Sequence, residues 1–302
     1  SLQNLVESGA IQKGLNWRLQ AGLGESALRL EKMENALVAL KEAIQERPDD
    51  PRLQRLLAET YHLGRLEPEA KSAAHDALKL SPDGLEMLEW YAEFAAKLGE
   101  ADEAIRALRT ATQLSPEGAG YWISLAEMQL RQDDQPGAAT ALETALNLNG
   151  LTLEYLRRIA RAYLALEQPA AALDCLRRAV KNDCAPDAEL WVELAYLYQY
   201  NRMFERGHEA LQRTNGELPG FTWLVVFQAE LLMQASKLDA ARACLEHAQR
   251  SNDARQGRPA TQLLKSMLIP AEWQAAFQTP YAVRVQFAQL ERLTGNLAGA
   301  LK

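Results

Sequence analysis

Alanine recurs along this chain at a fixed step of 34 residues: Ala36, Ala70, Ala104, Ala138 and Ala172 form one ladder, and Ala43, Ala77, Ala111, Ala145 and Ala179 a second. A third ladder of small residues runs through Gly24, Ala58, Ala92, Ala126 and Ala160, and Pro48, Pro82 and Pro116 keep the same interval. A period of this length marks stacked supersecondary units, each of which buries its apolar face only against its neighbours. The chain is therefore expected to be an array.

Within one unit, counting Leu85 as position 1, Leu88, Tyr91, Ala92 and Ala95 fall at 4, 7, 8 and 11, which is one face of a helix. A second face follows with Ala104, Leu108 and Ala111 at 20, 24 and 27. Lys97, Leu98 and Gly99 separate the two faces, and glycine suits a helix C-terminus. Pro116 closes the unit, because proline lacks the amide hydrogen that a helix interior needs and restricts the residue before it. Alanine at 8, 20 and 27 lets two helices cross closely. A larger side chain there would push the pair apart.

Small residues at 8, 20 and 27, large apolar ones at 7 and 24 and proline at 32 resemble the tetratricopeptide repeat. The resemblance implies an all-α fold, a right-handed α-α superhelix of stacked antiparallel helix pairs, with helix A of each pair on the concave side. Seven units register at 17–50, 51–84, 85–118, 119–152, 153–187, 188–221 and 222–255. In the sixth, Trp191, Leu194, Ala195, Tyr198, Leu211 and Pro219 fit positions 4, 7, 8, 11, 24 and 32, while Gly207 and Thr214 replace the alanines. The seventh recovers Ala229, Ala241, Leu245 and Ala248.

Residues 1–16, with Leu2, Leu5 and Val6, read as the end of a preceding helical unit or a cap. Residues 281–302 read as the first part of an eighth repeat, carrying Phe287, Ala288, Gly295 and Ala300. Since complete arrays end in polar capping faces, the chain is expected to be an excerpt from a longer protein. Residues 256–280 break the period and read as an irregular helical insertion around Pro270. It is either a spacer packed on the array or a docking element that caps or occupies the groove.

A net charge of −7 and a pI near 5.3 argue against nucleic acid as partner. No apolar run reaches the length that spans a bilayer, and no secretory signal opens the chain, so direct membrane insertion is not expected. Cys175, Cys184 and Cys244 are odd in number and lack metal-ligand spacing, which favours reduced thiols and a cytoplasmic setting. No two of His62, His75, His208 and His247 stand four apart on one helix, and neither a phosphate-binding glycine loop nor a nucleophile elbow is present. The expectation is no enzyme, no cofactor and no metal.

What remains is recognition, and the resemblance implies that positions 2, 5, 9, 12 and 13 face the groove. Position 9 holds Glu25, Glu59, Glu93 and Glu127 in four successive units. Such a row either orients a basic partner segment or is a solvated row inherited by duplication. In the fifth unit Arg157, Arg158 and Arg161 reverse the sign, either to clamp a carboxylate or to pair with Glu127 and Glu154. The groove then turns apolar with Val192, Tyr196, Tyr200, Trp223, Val226, Phe227 and Met233, offered as partner anchors unless the 256–280 insertion buries them. Trp191 at position 4 reads as core.

Chaperone-tail binders of this family carry a two-carboxylate clamp of lysine, asparagine and arginine, but Ala21, Glu25, Leu56, Glu86 and Trp90 stand at those places here. Two functions remain expected: a non-catalytic scaffold that binds a protein or peptide, by a basic segment plus apolar anchors, or a regulatory or substrate-recruiting module of a larger enzyme or secretion assembly. Self-association through the array ends is a third, weaker reading.

Overall fold

The computed structural model describes residues 16–30, 32–181, 187–214, 222–252 and 282–294. The expectations for residues 1–15 and for the 256–280 insertion, and those for Cys184, Pro219, Gly295 and Ala300, lie outside the described residues. So do the side chains of Trp223 and Phe287.

Among the described residues every regular element is an α-helix, and the chain divides into two compact units, Ser1–Leu148 and Asn149–Lys302. Unit 1 holds α1 (Asn16–Arg29), α2 (Met33–Glu46), α3 (Pro51–Leu63), α4 (Glu67–Leu80), α5 (Leu85–Lys97), α6 (Ala101–Leu114), α7 (Ala119–Arg131) and α8 (Gln135–Leu146). Unit 2 holds α9 (Leu153–Ala165), α10 (Pro169–Lys181), α11 (Ala188–Tyr200), α12 (Phe204–Gln212), α13 (Thr222–Gln234), α14 (Leu238–Asn252) and α15 (Ala282–Leu293). Within each unit successive helices pack pairwise as an α-α solenoid, and α15 packs on both α13 and α14.

The small-residue ladders are the contact surfaces. All ten alanines of the first two ladders are 0% exposed, as are Ala58, Ala126 and Ala160 of the third. Gly207 shows the limit of this close approach, since a Cβ there would lie 3.2 Å from the Ala195 carbonyl oxygen and 3.2 Å from the Leu231 methyls. Glycine replaces alanine where the facing helix presents backbone.

Six helices of the odd-numbered set end in one turn. The amides of Leu66, Glu100, Asp134, Gln168, Met203 and Lys237 donate to the carbonyls of Tyr61, Ala95, Gln129, Tyr163, Tyr198 and Leu232, at 2.7–2.9 Å. The residue before each of these donors is left-handed: Arg65, Gly99, Asp133, Glu167, Arg202 and Ser236, with φ between 57° and 79°. This is the Schellman closure, which satisfies the last carbonyls of a helix and favours glycine. Only Gly99 meets that preference. A left-handed L-residue costs about 1–2 kcal/mol, partly offset by the larger entropy glycine loses on folding. Arg65→Gly and Glu167→Gly, both at exposed positions, are therefore expected to stabilise the protein by about 0.5–1 kcal/mol each. The urea midpoint of each variant checks this, and a fall would show that the side chain contributes more than its strain.

Candidate functional site

The A-helix face of unit 1 forms a groove of about 750 Å³ across α1, α3 and α5. Leu28, Leu56, Leu85 and Met87 supply apolar lining, while Arg29, Arg52 and Arg55 face Glu25, Glu59 and Glu86. The charges are cross-linked. Arg29 and Arg52 donate to the two oxygens of Glu25 at 2.9 and 3.0 Å. Arg55 Nε donates to Glu59 Oε1 at 3.2 Å, and its Nη1 lies 3.9 Å from Glu86. Below them, Trp90 donates its indole hydrogen to Glu59 at 2.8 Å, lies under the Arg55 guanidinium at 5.3 Å and stacks on Phe94 at 5.2 Å.

The glutamates expected to form an acidic wall thus divide. Glu25 and Glu59, 29% and 31% exposed at the side chain, already hold arginines of the same unit. Glu93 is exposed and Glu127 half-buried. The lining carries as many arginines as glutamates, so its character is that of alternating charge over an apolar floor. The arginines were legible in the repeat frame, since Arg52, Arg55 and Arg29 occupy groove positions 2, 5 and 13. Their i,i+4 spacing to Glu59 and Glu25 was a further signal.

In unit 2 Arg157 is an internal structural group, with its side chain 12% exposed. Its Nε donates to Glu193 Oε2 at 2.7 Å and its Nη2 to Asp187 Oδ1 at 3.0 Å; the Glu193 side chain is 0% exposed. Asp187 also caps α11 by accepting from the Leu190 amide at 2.7 Å. Burial works against the guanidinium charge, but the Glu193 carboxylate beside it and then Asp187 hold its pKa above the ordinary value. The bonds of Arg157 run to acids of the next helix pair, Glu193 and Asp187. Arg161 is exposed.

The apolar end of the expected surface is largely interior. Val192, Val226 and Phe227 are 0% exposed, and Tyr196 and Met233 are buried. The correction has a physical reason: α11 and α13 are apolar around most of their circumference, and such helices bury more than one face. Tyr200, 58% exposed, is a surface aromatic. Trp191, read as core, is half-buried with the Arg213 guanidinium 4.6 Å from its ring centre.

A second, smaller cavity of about 370 Å³ lies on unit 2 between α11 and α13, lined by Tyr196, Gln199, Tyr200, Arg202, Phe204 and Gln234. Two of those lining residues, Gln199 and Gln234, bond to Glu230, which occupies position 9 of its repeat, the same place as Glu25 and Glu59. Sequence reasoning passed over it in favour of its aromatic neighbours. Its Oε1 accepts from Gln199 Nε2 at 3.1 Å and Gln234 Nε2 at 3.3 Å. Burial raises its pKa, and the Gln199 hydrogen bond opposes that shift.

Among the described residues no group of His, Cys, Asp and Glu is placed to hold a metal ion, and no helix is long and apolar enough to cross a membrane. Burial, and then the Asp174 charge, push the Cys175 thiol up to about 12, well away from reactive thiolate chemistry.

The tetratricopeptide-repeat family matches residues 68–118, 92–149 and 157–213. Among solved structures the chain is similar to PilW, a widely conserved type IV pilus biogenesis factor, at 15% identity over 69% of this chain and 96% of that one, with a TM-score of 0.50. It is similar also to YrrB, a TPR protein with an unusual peptide-binding site, at 16% identity over 64% and 98% with a TM-score of 0.48. A tetratricopeptide-repeat protein from Parabacteroides merdae matches at 16% identity over 83% and 98%, with a TM-score of 0.48. The comparison with curated proteins matches none. At these identities the likenesses speak for fold alone.

Proposed function

Because the chain is a tetratricopeptide-repeat protein, we propose that it is a non-catalytic scaffold that holds a segment of a partner protein in the groove of unit 1. The supporting observation is the groove itself, where exposed arginine and glutamate side chains stand over an apolar floor. Arg52 and Glu86 are 71% and 95% exposed at the side chain. They would set the orientation of a segment bearing both charge signs, while Leu28, Leu56 and Met87 receive its apolar anchors. The odd cysteine count without metal spacing supports a reducing, cytoplasmic setting.

The test is a peptide selected from a random displayed library on the whole chain and then titrated against Arg52→Glu/Glu86→Arg. Both positions are exposed, so the variant keeps the fold. Reversal of both charges is expected to weaken binding at least about tenfold and to flatten its salt dependence. Equal affinity for both proteins would remove the groove of unit 1 as the site.

A further inference from the structure

We propose that the cavity between α11 and α13 of unit 2 is a second recognition pocket that takes the cationic end of a lysine or arginine side chain from a partner protein. This extends the scaffold reading to a different unit and names the chemistry of one contact.

As a carboxylate Glu230 only accepts, and both neighbouring amides turn nitrogen towards it. Gln199 spends its amino group on Glu230 and on Gln234 Oε1, the latter at 3.4 Å. Its own carbonyl oxygen, Oε1, is buried and has no partner among the described residues. A buried acceptor without a donor costs about 1–3 kcal/mol, so a ligand that supplies a donor there recovers it.

The surroundings select the charge of that donor. Burial raises the Glu230 pKa, and a cation in the cavity would favour its carboxylate form, with an attraction stronger than in bulk water. Tyr196 and Tyr200 stand 6.3 Å apart with rings tilted by 59°, offering faces of the kind that attract ammonium and guanidinium groups. Tyr200, being exposed, gives the pocket an accessible wall. Arg202, in the left-handed turn after α11, is the one lining group that opposes a cation. Its removal therefore provides a control of opposite sign.

The experiment titrates the whole chain with a capped glycine–lysine–glycine peptide and with its norleucine counterpart, following the side-chain amide resonances of Gln199 and Gln234. The lysine peptide is expected to move both resonances saturably and the norleucine peptide to leave them in place. Glu230→Gln keeps shape and removes charge, and should weaken the lysine peptide about tenfold. Arg202→Gln, at an exposed position, should tighten it. The unit 1 variant Arg52→Glu/Glu86→Arg should leave this titration unchanged, so the two recognition sites stand or fall separately. Equal response to norleucine, absence of any shift, or weaker binding by Arg202→Gln would each overturn the proposal.

Discussion

Arg157→Ala is expected to destabilise unit 2 by about 3–5 kcal/mol, the usual consequence of removing one partner from a buried ion pair. Arg157 serves two acids at once, and one of them, Glu193, is entirely inside. Without the guanidinium, a buried carboxylate loses the cation that offsets its desolvation. Asp187 also loses the group that positions it as the cap of α11, so the start of that helix weakens with the pair. Arg157→Lys should recover only part of the loss, because an ammonium cannot reproduce two directed bonds to separate carboxylates. Arg157→Leu/Glu193→Leu should be far more stable than either single change, since well-packed apolar replacements of buried pairs are often neutral or better. Urea unfolding of the four proteins tests this. A single variant within about 1 kcal/mol of the parent would mean that the site is well hydrated in solution.

Ala138→Leu is the second large effect, with an expected loss of about 3 kcal/mol, at the upper end of overpacking costs. Ala138 and its ladder mates Ala104 and Ala70 are 0% exposed, and each lies on the B helix of its pair where the chain packs against the neighbouring helix. Three additional carbons have no void to enter, so the helices must separate or the side chain must leave its rotamer. An exposed position on the same helix provides the control: Thr140→Leu, whose hydroxyl only bonds back to the Pro136 carbonyl, should change little. Thermal melting that is unchanged by Ala138→Leu would contradict the close crossing inferred from the ladder.

The buried ladders were legible because small residues at helix crossings are a steric requirement that any one unit shares with the next. Ala36, Ala70, Ala104, Ala138 and Ala172 therefore announced the interior directly. The turns were half legible. Gly99 revealed itself as a left-handed cap, whereas Arg65, Asp133, Glu167, Arg202 and Ser236 adopt the same conformation with residues that carry no such signal. There the packing of each pair imposes the turn on whatever residue stands in it.

The groove of unit 1 was legible by position and misleading by chemistry. Glu25 and Glu59 at position 9 line the groove of unit 1, but their charge is shared with Arg29, Arg52 and Arg55, which converts an acidic ladder into a mixed groove. Apolar residues at groove positions of α11 and α13 suggested anchors, yet Val192, Val226 and Phe227 are packed inside. Phe227→Ala would probe the core of unit 2 rather than a binding surface.

Sequence alone determined that the chain is all-helical, that its helices come in repeating pairs and which small residues let them meet, since those properties depend on local periodicity and side-chain size. Tertiary structure alone decided which charges are already neutralised, which aromatic residues remain accessible and where an acceptor is left without a donor. Ion pairs such as Arg157 with Glu193 join residues 36 apart. Their existence depends on the lateral spacing of neighbouring A helices, and with it on the low-dielectric interior that those helices create together.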